Sequence, residues 1–224
     1  MRHLMTCLLL ATAAWTQDLA SLSQGEAGRG LREALVSGVG QAVGSLSAAD
    51  GFLGNPEVKI PLPPALEKAE RTLRRLGMGR QADELVTTMN RAAESAVVDA
   101  RPILLDGIKK MTLADAKGIL TGPEDSATRY FRRTSGEAIQ KKFLPKVKAA
   151  TARVKLAEDY NRFAGPAAQF GLIDAKDADL DQYIAARAVD GLFLMIAKQE
   201  KAIRADPVGQ SSKLLRKVFG ALKL

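Results

Sequence analysis

Residues 82–97, ADELVTTMNRAAESAV, decide the fold. Ala82, Leu85, Met89, Ala92, Ala93, Ala96 and Val97 recur every three or four positions, the spacing that gathers side chains on one face of a helix. Upstream, Leu31, Leu35, Val39, Ala42, Val43 and Leu46 repeat the pattern and predict a second amphipathic helix. Gly40 and Gly44 lie on one face of it. Glycine inside a helix costs about 1 kcal/mol against alanine, so close approach by a neighbouring helix is the expected compensation. Between the two helices, Asn55-Pro56, Pro61, Pro63 and Pro64 forbid helical continuity and leave Val58-Lys59-Ile60 extended. Pro64 suits the first turn of a helix over 65–76, closed by Gly77.

Downstream, Pro102 ends or kinks the long helix, and Ile103 to Met111 continues helically. Thr112 with Asp115, and Thr134 with Glu137, have capping-box spacing and predict two helix starts. Thr121-Gly122-Pro123 separates them. Pro145 predicts a further start, for a helix through Val147, Val154, Leu156 and Tyr160 that stops near Gly165-Pro166. The last long helix spans about Leu180 to Arg204, and a short basic helix, Lys213 to Leu222, follows Asp206-Pro207. No stretch alternates with period two for long enough to build a sheet. The expected architecture is all-α: a single compact multi-helix domain with one extended Pro-rich segment. Leu85, Met89, Ile103, Leu120, Phe131, Phe143, Leu192 and Phe193 are its expected core.

The first residues have a different character. Residues 1–14, MRHLMTCLLLATAA, combine Arg2, an apolar run from Leu4 to Leu10 and small residues at Ala11, Ala13 and Ala14, the three parts of a secretory signal. The apolar run is too short to span a bilayer, which takes about 20 residues. The expected organisation is a cleaved signal peptide over 1–14, a flexible mature N-terminus over 15–28 and a helical domain over 29–224. The expected location is periplasmic or secreted.

The chain has 224 residues, 46% of them hydrophobic, which suffices for a sizeable core. Its only His, Cys and Trp are His3, Cys7 and Trp15. The body therefore has no imidazole or thiol for triad catalysis, disulfides or histidine-ligated metals. Gly77-Met78-Gly79-Arg80-Gln81-Ala82 has the letters of a dinucleotide loop, but a helix precedes it where a strand is needed. Asp177-Ala178-Asp179-Leu180-Asp181 has the first carboxylates of a calcium loop but Gln182 at the glycine position and Ala188 at the final glutamate; an acidic helix start accounts for it. No catalytic residue, metal or cofactor is assigned. Net charge is +8, with 33 Lys+Arg against 25 Asp+Glu. Lys141, Lys142, Lys146 and Lys148 form a candidate basic surface for anionic lipid or envelope polymer, and Lys213, Arg216, Lys217 and Lys223 form another in the tail. Aromatic residues are only 5%, and nucleic acid is not an expected partner.

Several short motifs stand in order along the chain. They are Gly30-Leu31-Arg32-Glu33-Ala34-Leu35, Val58-Lys59-Ile60-Pro61-Leu62-Pro63, Met89-Asn90-Arg91-Ala92-Ala93-Glu94 and Met111-Thr112 with Asp115-Ala116, Ile119-Leu120 and Gly122. Ala127-Thr128, Tyr130-Phe131-Arg132, Asp190-Gly191-Leu192-Phe193, Ile203-Arg204, Asp206-Pro207 and Val218-Phe219-Gly220 complete the set. From Gly30 to Gly220 the chain resembles the bacterial domain of unknown function 4197 family. The resemblance implies an exported protein of a Gram-negative bacterium, and it transfers no catalytic residue because the family has no assigned activity. Gln210 departs from the basic residue expected after Asp-Pro.

The motif positions single out Asn90, Arg91, Glu94, Asp115, Thr128, Tyr130, Arg132, Asp190, Glu200 and Arg204. Two roles are open to them: a buried polar network that pins helix register, or the lining of a ligand pocket. Function has two expected readings. The first is a non-enzymatic binding or scaffold module for an apolar or anionic envelope component. The alternative is a carboxylate-dependent cell-wall (peptidoglycan) hydrolase, for which Glu94, Glu137 and Glu200 are the candidate acids.

Overall fold

The computed structural model describes residues 24–77 and 79–206. The expected signal peptide over 1–14, with His3 and Cys7, as well as Trp15 and the basic tail beyond Asp206, lie outside the described residues. Eight α-helices follow in order: α1 (Gln24–Ser47), α2 (Pro64–Arg75), α3 (Gly79–Val97), α4 (Ala100–Lys110), α5 (Leu113–Thr121), α6 (Ser126–Thr151), α7 (Lys155–Gln169) and α8 (Leu180–Ala205). A 3-10 turn, Ala175–Asp177, precedes α8. Helix α1 already includes Gln24 to Gly28, inside the stretch read as a flexible N-terminus.

Helices α6 and α8 form the centre, packed on one another, with α3 against α6 and α1 against α8. Their meeting faces bury Phe131, Ile139, Phe143, Ile184, Leu192 and Phe193. Removing any of these from water stabilises the fold by about 1.5–3 kcal/mol. Of the expected core, Leu85, Met89, Phe131, Phe143, Leu192 and Phe193 are buried, whereas Ile103 and Leu120 are only partly so. Their helical neighbours Leu104, Ile108 and Ile119 take the inward positions instead.

Four local expectations are corrected by packing. Thr134 and Glu137 do not start a helix: α6 runs through them, and Thr134 Oγ1 donates to the Tyr130 carbonyl at 2.9 Å. Phe131, Ser135, Ile139, Phe143 and Val147 are buried at every fourth position, and this unbroken stripe overrides the local cap signal. Pro145 does not start a helix either, and Pro166 does not stop one; they lie inside α6 and α7. Both prolines are exposed, so the carbonyls of Lys141 and Arg162, which lose the i+4 donor, are on the solvent side where water can satisfy them. Finally, Gly40 and Gly44 have open space around them. The glycine of this helix that faces a neighbour is Gly38, where a Cβ would meet Gln199 and Ile203 of α8 in ordinary contact at 3.5 and 3.6 Å.

The other punctuation agrees with its chemistry. Thr112 and Asp115 form a reciprocal capping box on α5. Helix α3 ends at Val97, and Pro102 sits in the first turn of α4, where its missing N–H is not needed. Gly77, at φ +77°, turns the chain between α2 and α3.

Residues 48–63 are the segment that matters for the site. The chain turns through Val58 and then runs without helix to Pro63. Val58, Ile60 and Leu62 are buried while Glu57, Lys59 and Pro61 face out, the alternation of an extended chain laid on a core. We refer to residues 57–63 as the strap.

Candidate functional site

Helix α3 holds the 48–63 segment with three residues, one of them acting on the strap itself. Asn90 is fully buried. Its Oδ1 accepts the Ile60 N–H at 2.8 Å, and its Nδ2 donates to the Ile60 carbonyl at 2.9 Å and to the Val86 carbonyl at 2.8 Å. Asn90 thus gives Ile60 the pair of bonds a neighbouring strand would give, using a side chain that carries both a donor and an acceptor. One turn on, Glu94 Oε1 accepts the N–H groups of Phe52 and Leu53, each at 3.1 Å. Its Oε2 receives Arg91 Nη1 at 2.7 Å, and Arg91 Nη2 holds Asp50 at 2.8 Å. Asp50 has φ +64°, so the ion pair secures a strained turn. Hydrogen bonding to the Glu94 and Asp50 carboxylates raises the Arg91 pKa further above its already high value.

Helix α8 closes on the strap from the other side. Tyr183 donates its hydroxyl to the Pro61 carbonyl at 3.3 Å, and Lys198 pairs with Glu57. Gly191 makes room for side chains of the 48–63 segment: a Cβ there would sit 2.8 Å from Phe52 Cε1 and 3.2 Å from Val58 Cβ. Burial pushes the Tyr183 phenol up, and neighbouring Arg187 partly offsets this.

The remaining singled-out residues are dispersed. Glu200 Oε1 accepts the Ala127 N–H and its Oε2 accepts both the N–H and the hydroxyl of Thr128, all at 3.0 Å. Arg204 bonds Glu200 at 2.9 Å and the Ile119 carbonyl at 2.8 Å. Arg132 pairs with Asp190 at 2.7 Å and lies over the Phe193 ring. Tyr130 donates to the Gly107 carbonyl at 3.1 Å, and Asp115 is spent on its capping box. The ten residues therefore form separate fastenings and do not line one common pocket. A cavity of about 20 Å³ beside Glu200 and Arg204 is large enough only for a water-sized guest.

The basic surface is likewise divided. Lys141 pairs with Glu137, an exposed residue whose carboxyl is held low by that lysine. Lys146 pairs with Asp99 at 3.0 Å and donates to the Ser95 carbonyl at 3.2 Å, closing the end of α3. Lys142 and Lys148 are exposed on α6. Asp179 caps α8 through bonds from the Asp181 and Gln182 N–H groups, and no acidic cluster among the described residues is arranged to hold a metal.

Open space is found on both flanks of the strap. On the α8 side, a groove of about 300 Å³ is lined by strap residues 57–61 and by Arg187, Asp190, Gly191 and Leu194. On the other side, a groove of about 410 Å³ is lined by Leu53, Leu62, Glu67, Val86 and the Arg74–Asp83 ion pair, among others. Lys59 and Pro61 border both.

The family described as proteins of unknown function, DUF4197, matches residues 21–220. The chain belongs to that family. No curated protein and no solved structure matches it. In this DUF4197 protein the motif Met89–Glu94 is the clamp on the 48–63 segment, and the Asp190–Phe193 motif supplies the close approach at Gly191. Sequence reasoning found those residues but missed Lys59 and Arg187 as groove cations. The signal was present: Lys59 is the only charge between Val58 and Pro64, and Arg187 lies one helical turn before Gly191. What was missing was knowledge that the strap and α8 are neighbours.

Proposed function

We propose that this DUF4197 protein is exported and acts as a non-enzymatic binding module for an apolar or anionic component of the cell envelope. Export rests on the signal-like residues 1–14, which precede the family match beginning at residue 21. No helix among the described residues is long and apolar enough to cross a membrane.

The observation that carries the binding reading is how the buried acids are used. Glycoside hydrolysis needs a protonatable carboxyl and a second carboxylate facing a common substrate. Glu94 and Glu200 instead accept backbone N–H groups and face an arginine each. Glu137 is exposed and paired with Lys141. The chain spends its acids on holding itself together and leaves grooves beside a fixed strap.

The test begins with intact-mass analysis of native protein, which is expected to show loss of the first 13–14 or so residues. Native mass spectrometry of periplasmic protein, followed by lipid extraction, is then expected to reveal a co-purifying small molecule. A full-length cytoplasmic product would overturn export. Degradation of purified peptidoglycan by the protein would overturn the binding reading in favour of hydrolysis.

A further inference from the structure

The groove between the strap and α8 has an uneven charge balance. Four charged side chains line it: Glu57, Lys59, Arg187 and Asp190. Both acids are neutralised by cations that are not part of the groove lining, Glu57 by Lys198 and Asp190 by Arg132. Among the described residues, neither Lys59 nor Arg187 has a carboxylate partner. Arg187 lies over the Tyr183 ring, its guanidinium carbon 5.2 Å from the centroid, and this stacking keeps it beside the strap. Glu67 lines the groove on the far flank, so the α8 side is the cationic one. The remaining lining residues are apolar: Val58, Ile60, Pro61, Gly191 and the exposed Leu194.

We propose that this groove is a binding site for an oxyanion, carboxylate or phosphate, attached to an apolar segment, with Lys59 and Arg187 taking the anion. Arginine offers a fork of N–H donors to the oxygens and lysine a point charge. Pro61, Leu194 and Gly191 provide the surface along which the apolar segment lies. The groove volume of about 300 Å³ is at the small end of ligand sites, enough for a headgroup and the first part of a chain. This inference rests on the binding reading and specifies its site and ligand class.

The test uses three probes on the purified protein, each below any micelle concentration: dodecyl phosphate, dodecanoate and inorganic phosphate. Calorimetry is expected to show binding of both amphiphiles, with inorganic phosphate weaker by on the order of tenfold or more. Lys59→Glu and Arg187→Glu are each expected to weaken amphiphile binding by on the order of tenfold. Lys117→Glu, an exposed position on α5 outside the groove, is expected to leave it unchanged. Both groove residues are exposed, so unfolding midpoints should move little and loss of binding will not reflect loss of fold. Equal affinity for inorganic phosphate and dodecyl phosphate would overturn the apolar part of the site. Amphiphile binding insensitive to Lys59→Glu and Arg187→Glu would overturn the groove while leaving the binding module standing. No binding of any probe, together with no co-purifying ligand, would overturn both.

Discussion

Glu200, near the end of α8, caps the start of α6 by taking both the N–H and the hydroxyl of Thr128 at 3.0 Å. The residue in the local cap position, Asp125, makes no side-chain cap bond. A carboxylate 72 positions away in sequence therefore does the work of an N-cap, and Arg204 neutralises it. Glu200→Ala leaves buried N–H groups without partners and a mostly buried arginine without its carboxylate, and it is expected to cost about 3–5 kcal/mol. Thr128→Val removes one bond and is expected to cost about 1 kcal/mol. Urea unfolding of both variants and the double variant measures the coupling. Additive losses would show that the Thr128 hydroxyl and Glu200 are not coupled.

Asn90 is expected to govern the strap more than the domain. Asn90→Ala removes its three bonds and leaves the Ile60 N–H and carbonyl unpaired, costing about 2–3 kcal/mol. Asn90→Asp keeps the acceptor but sets a carboxylate against the Ile60 carbonyl, so it should not rescue. Hydrogen exchange at Ile60 should accelerate far more than at Phe131. Equal acceleration at both would mean that the strap has no independent opening.

Gly191 is expected to tolerate no side chain. A Cβ 2.8 Å from Phe52 and 3.2 Å from Val58 pushes the 48–63 segment off α8, and Gly191→Ala should cost about 1–3 kcal/mol. Adding Phe52→Leu relieves the contact and should recover part of the loss. Thermal melts of the single and double variants decide this.

Tyr160 sets an alkaline limit. Burial pushes its phenol from 10.0 up to about 12, and its hydroxyl donates to the Asp177 carbonyl at 2.6 Å. The protonated form is the one the fold prefers. Its contribution is therefore complete below the unfolded value of 10.0 and is lost as pH rises through about 12. Tyr160→Phe should be less stable at pH 7 and should show a shallower loss above pH 10. Parallel slopes in the two proteins would refute the assignment.

The sequence by itself determined the helical class, the break across 48–63, the capping box at Thr112 and most of the core. These follow from short-range rules: periodicity, proline geometry and side chain-to-backbone bonds within a turn. It also picked out Asn90, Glu94 and Glu200, but not what they do. Their partners, Ile60, Phe52 and Thr128, lie 30, 42 and 72 positions away. Local signals failed where a long-range stripe outweighed them. Thr134 had the letters of a cap, yet burial of Phe131, Ile139 and Phe143 against α8 and α3 is worth more than one cap bond. The cationic groove was illegible for a related reason. Lys59 and Arg187 are ordinary surface residues in the chain. They become a pair because Gly191 allows the strap to lie on α8, and because Lys198 and Arg132 neutralise the acids beside them. Charge balance in a groove depends on which side chains the fold brings within a few ångströms, and that is a property of tertiary structure alone.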